Sequence, residues 1–198
     1  MPESLQAFFL NVFNLKTLLI LAVLAVIIAI PTVVLVKWSR NFPAAVTHPK
    51  IASGVGGWLI IFLAGQVAWF LRGLWEACYL TGELVYVYHK SPGTLQSILV
   101  AVLPTVFALV FGAIILWQIV ARRTPSAIVA VIILMWIMGP GVAMLQSWYF
   151  DGVLTEFSLF ELFGWALAWT LYFAASRRVA LTYGTPRGRS LAKTGKLY

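Results

Sequence analysis

Five stretches of this chain are almost uninterruptedly apolar: Leu15 to Val36, Gly54 to Leu71, Leu95 to Ala121, Ser126 to Tyr149 and Phe157 to Ala175. A helix needs about 20 such residues to cross the hydrocarbon of a bilayer. No water is present there to satisfy backbone groups, so only helices and closed barrels span it. The runs do not alternate apolar with polar residues, which argues against barrel strands. The expected fold is all-α, a polytopic membrane protein with five transmembrane helices. Only 10% of the residues are charged, against about 25% in a soluble domain. That leaves too little polar surface to coat a globule in water.

The connections between the runs are unequal in charge. Eleven of the fourteen basic residues fall in three of them: Lys37, Arg40 and Lys50, then Arg122 and Arg123, then Arg177, Arg178, Arg187, Arg189, Lys193 and Lys196. All six acids lie on the other side, with Lys16, Arg72 and Lys90. Cytoplasmic connections carry the excess of Lys and Arg. The expected orientation therefore has the N-terminus outside and the C-terminus in the cytoplasm. Trp38, Trp58, Trp117 and Tyr172 fall near inner helix ends, and Trp69, Trp75, Trp148 and Tyr149 near outer ones, as an interfacial aromatic belt requires.

The chain divides into a leader with the first span (1–37), a four-helix core (51–184) and a basic tail (185–198) expected to be flexible. Leu5, Phe8, Phe9, Val12 and Phe13 share one helical face. They suit either a short interfacial helix or an outward extension of the first span. The first run is too long for a signal core and lacks a basic leader. The outer loop 72–94 is the longest connection, and its Leu84–Tyr88 stretch reads as a short strand or an interfacial apron.

Few residues suggest chemistry. Cys78 is the single cysteine and His48 and His89 the two histidines, so no metal-ligand spacing exists. No cofactor is expected. Gly54-Val55-Gly56-Gly57 lacks the Lys-Ser/Thr of a phosphate loop. His89 and Glu83 form the one acid–base pair an enzyme reading would need. The cations close apolar runs and are not set among aromatics on one face, which points to anionic lipid and not to nucleic acid. Arg72 and Glu76 are four residues apart and can pair on one helix face. Glu161, one turn into the last run, joins them if the second and fifth helices touch. Gly139-Pro140-Gly141 breaks the fourth run near its middle, as a packing kink or as the unwound turn of a transporter site. Gln66, Gln118 and Gln146 are amides suited to hydrogen bonds between helices.

Two patches carry a resemblance. Gly56-Gly57-Trp58 opens the second run, and Ser176-Arg177-Arg178-Val179 with Thr182 closes the last. The pairing resembles the bacterial integral-membrane family of domain of unknown function 2569, over about residues 51–184. The chain departs from it in an added first span and in Tyr183, where a phenylalanine is usual. The resemblance implies a four-helix core in the bacterial inner membrane. Independently of it, Gly57 is expected near Arg178 on the cytoplasmic face.

The function expected is that of a non-enzymatic accessory or scaffold subunit. Its partners would be membrane lipids and another membrane protein or a second copy. The alternative is a small transporter or lipid-handling protein that uses the broken fourth helix.

Overall fold

The computed structural model describes residues 15–48, 51–90, 95–144 and 156–194. Among these the chain is helical, apart from its connectors. The helices are α1 (Leu15–Ser39), α2 (Trp58–Lys90), α3 (Leu95–Val120), α4 (Pro125–Trp136), α5 (Glu156–Ala175), α6 (Arg177–Thr182) and α7 (Pro186–Thr194). A π-helical turn, Ile137–Gly141, continues α4. Four segments are long and apolar enough to cross a membrane: Thr17–Ser39, Trp58–Gly82, Val102–Val120 and Pro125–Met144. This is the composition of a multi-pass membrane protein. The fifth expected span corresponds to α5, whose side chains, described from Phe160 on, form a shorter apolar helix, Phe160–Ala175. The leader helix expected before Leu15 and the end of the fourth run lie outside the described residues.

The core is built where α2, α3, α4 and α5 face one another. On α2, Leu59, Phe62, Leu63 and Val67 are buried, the three-and-four spacing of one helix face. The Phe62 ring lies 4.9 Å from Trp169 and 4.9 Å from Phe173, edge-on to both. Ile115 and Ile119 of α3 and Val131 of α4 complete the cluster. α1 rests against α2 and α3 but keeps most of its surface exposed, Leu19, Ile20 and Ile30 included. A helix that is apolar all round can face lipid on any side.

Two expectations are corrected. The second span does not stop at Leu71, and residues 84–88 are helical, not a strand. α2 continues to Lys90, about 50 Å at 1.5 Å per residue, longer than the ~30 Å hydrocarbon. No proline interrupts it. The Arg72–Glu76 pair and the bond from Thr81 to the Ala77 carbonyl lie within its turns. Extending an existing helix gains one hydrogen bond per residue, and this outweighs the β propensity of Val85 to Tyr88. At its other end α2 begins at Trp58, not Gly54, because Gly54 and Gly57 hold φ of +88° and +57°.

The tail, expected to be flexible, is helical over Pro186–Thr194. Thr185 accepts a hydrogen bond from the Gly188 N–H, an N-cap for α7, and Pro186 opens the helix. Arg187 donates to the carbonyls of Ala174 and Ala175 at 3.2 and 2.9 Å. Gly188 is buried, and a Cβ there would strike the Ala180 carbonyl. Backbone cannot yield as a side chain does. Gly188→Ala is therefore expected to lift α7 off α6. Limited proteolysis should then cut between 184 and 194 at least tenfold faster than in the parent.

In α4, Pro140 has no N–H to donate. The wider turn absorbs this, with the Val142 N–H reaching the Ile137 carbonyl, a bond spanning five residues.

Candidate functional site

Apart from the bond from Trp136 to Thr170 between α4 and α5, the hydrogen bonds from side chains to distant parts of the chain, among the described residues, gather at one end of the bundle. Three connectors meet there, as far as the described residues go: 40–48 with 51–57, 121–124 and 176–194. Ser176 caps α6 by accepting from the Val179 N–H. This turns the chain back beneath the bundle and buries Val179, Leu181, Thr182 and Tyr183.

Thr182 ties the first connector to α6. Its hydroxyl accepts from the Gly54 N–H at 2.8 Å and donates to the Arg178 carbonyl at 2.7 Å. Its carbonyl accepts from the Ala45 N–H at 3.0 Å, and that of Leu181 from the Val46 N–H at 3.1 Å. Gly184 follows in the left-handed region at φ +62°, where a Cβ would stand 2.9 Å from the Ala45 Cβ. Valine at 182 keeps the shape but leaves the Gly54 N–H without its acceptor. Thr182→Val is expected to cost about 1–3 kcal/mol, read as a lowered unfolding midpoint in a fixed detergent.

Arg178 lies over the glycine pair. Its Nη1 stands where a Gly56 Cβ would be, and 3.1 Å from where a Gly57 Cβ would be. Its Nε donates to the Ala52 carbonyl at 3.3 Å. The two patches that carry the family resemblance are thus in contact, and Gly57 does lie beside Arg178. Trp58 next to them is 67% exposed. Arg177 is half-buried.

Arg123 and Tyr183 close the junction, and sequence reasoning missed both roles. Tyr183 donates to the Ile119 carbonyl at 2.7 Å. Arg123 donates to the same carbonyl at 2.8 Å, to Phe42 O at 3.2 Å and to Ser39 O at 3.1 Å. Its guanidinium carbon sits 5.6 Å from the Tyr183 ring centre, within cation–π range. By sequence, Arg123 is one more helix-end cation beside Arg122. The available signal was Tyr183 closing the largely apolar stretch Val179–Tyr183 directly before Gly184.

Burial pushes the Tyr183 hydroxyl above its ordinary value of 10, and the nearby Arg123 opposes the shift without cancelling it. Burial also depresses Arg123, against the pull of Tyr183. The folded chain keeps the phenolic proton longer than the unfolded one. The stability this group contributes is complete below pH 10 and falls as pH rises beyond it. Unfolding midpoints measured from pH 8 to 11.5 should drop more steeply above pH 10 for the parent than for Tyr183→Phe.

Midway along α2, Arg72 Nε binds Glu76 Oε1 at 2.7 Å. Both side chains are exposed enough that solvent screens the pair. Glu161 is exposed, and among the described residues it takes no part in this ion pair. Beside the π turn, Gly139 and Pro140 line a cavity of about 50 Å³ with Gln66, Gly112, Met135 and Trp165. Gly141 closes the turn beside the Trp136 carbonyl. Gln118 Oε1 is buried without a partner among the described residues, and Gln146 lies outside them. Cys78 is exposed, and His48 is buried beside Ile51. His89 and Glu83 fall on α2.

No protein-family model, curated protein or solved structure matches the chain.

Proposed function

We propose that this chain is a non-enzymatic accessory or scaffold subunit of a membrane complex in the bacterial inner membrane. In this reading α5 is the fifth span, the N-terminus lies outside, and the face where the three connectors meet is cytoplasmic. One observation carries the reading. Arg123, Thr182 and Tyr183 direct their donors to main-chain carbonyls of other turns and connectors. Groups used this way hold connectors in place and are not poised around a substrate. The contact between Gly56-Gly57 and Arg178 supports the likeness to the family of domain of unknown function 2569, as a packing motif. The exposed apolar flank of α1 offers a surface for a second membrane protein.

Gentle extraction from the native membrane, followed by intact-mass measurement, tests this. A protein partner at fixed stoichiometry, released when Ile20 and Ile27 are changed to alanine, is the expected result. A lone chain carrying a defined small molecule would overturn it. That outcome would favour the second reading, a small transporter or lipid handler, for which the cavity beside the π turn speaks. Transport lost in Glu161→Gln, with the fold intact, would point the same way.

A further inference from the structure

Eight arginines and lysines of the connector face fall into two groups. Arg123, Arg178 and Arg187 donate to carbonyls of the chain itself. Lys37, Arg40, Arg122, Arg189 and Lys193 are exposed; Arg187 is exposed too, but its guanidinium is held by the Ala174 and Ala175 carbonyls. No aspartate or glutamate occurs anywhere in 37–57, 121–124 or 176–194, so this face carries cations with no carboxylate of its own to neutralise them.

The depth of the face is marked by aromatics. Trp38, Trp58 and Trp117 are 39, 67 and 49% exposed and stand at the ends of α1, α2 and α3. Trp38 and Trp117 lie with ring centres 5.6 Å apart. Exposed tryptophans at span ends settle at the headgroup level, so cations just beyond them sit among phosphates. α7 fits the same level. Its Gly188 is buried against α6, while Arg189 and Lys193, four residues apart and hence on one face, are exposed.

From this geometry we infer that the connector face binds anionic phospholipid headgroups, through Lys37, Arg40 and Arg122 on one side and Arg189 and Lys193 on α7. This goes beyond the scaffold reading and does not depend on it. The ligand is the phosphodiester of a lipid, held by exposed cations within reach of the bilayer surface.

The full chain, purified in a neutral detergent, is titrated with phosphatidylglycerol or with phosphatidylcholine of the same acyl chains. Retained lipid is counted by native mass spectrometry. Three variants are compared: Arg189→Gln with Lys193→Gln, Arg40→Gln with Arg122→Gln, and Arg72→Gln as a control about 21 Å along α2 from Trp58. Melting in phosphatidylcholine verifies that each is folded. The expected result is preferential retention of phosphatidylglycerol, weakened by salt. Half-saturation should rise about thirtyfold in each double variant, from the loss of two surface cations, and stay unchanged in Arg72→Gln. Equal retention of both lipids would overturn the inference. So would double variants that bind like the parent. Displacement of the lipid by millimolar inorganic phosphate would reassign the face to a soluble anion, and displacement by a short RNA duplex would reassign it to nucleic acid; either would also overturn it.

Discussion

Replacing Tyr183 with alanine is expected to lower stability by about 3–5 kcal/mol, the range for deleting a large buried aromatic ring. Tyr183 is wholly buried and is the largest such side chain among the described residues. It packs against the shared core of α2, α3, α4 and α5, so truncation opens a cavity where the connectors meet. It also removes the bond to the Ile119 carbonyl and the ring over which Arg123 lies. Unfolding by dodecyl sulfate in mixed micelles measures the loss. Tyr183→Phe separates the two contributions, because it keeps the ring and deletes the hydroxyl. It is expected to cost about 1 kcal/mol, since the Ile119 carbonyl still accepts from Arg123. Equal losses in the two variants would mean that the ring contributes little and that the junction is not part of the core.

Arg123→Met is the second large effect, about 2–4 kcal/mol. Methionine keeps much of the apolar stem but none of the donors. The Phe42 carbonyl loses its partner, whereas Ser39 keeps the Phe42 N–H and Ile119 retains Tyr183. Bonds from a charged donor contribute about 1.5–3 kcal/mol each, reduced here because the side chain is only half-buried. Lysine should not rescue, because a single ammonium cannot serve three carbonyls in a fixed fork. Combining Arg123→Met with Tyr183→Phe should cost more than the sum. Each single variant leaves the Ile119 carbonyl one donor, and the double variant leaves none. Strict additivity in the same unfolding assay would show that the shared carbonyl does not couple them.

Much of the fold was legible in the chain because hydropathy acts locally. Leu15–Ser39 and Leu95–Val120 lie close to their apolar runs, since each run carries its own reason to leave water. The pairing of Arg72 with Glu76 was legible for the same reason, four residues being one helical turn. The nearness of Gly57 to Arg178 followed from topology, because both patches end spans on the same side.

The misreadings share another origin. The extension of α2 through Val85 to Lys90 set residue propensity against the continuation of a helix already nucleated, and propensity is the weaker term. The basic tail has the composition of a disordered segment. It is helical from Pro186 because Gly188 meets the Ala180 carbonyl and Arg187 reaches the end of α5, contacts invisible in composition.

The chain by itself thus determined the apolar runs and, to within three residues, the ends of α1 and α3. Each is a property of a single segment and its solvent. Only the tertiary structure decided that Arg123 is a half-buried clasp while Arg122 beside it is exposed, that Tyr183 binds a carbonyl 64 residues away, and that the tail docks. Those outcomes depend on which carbonyls come within reach once the helices have packed. No local pattern encodes that distance.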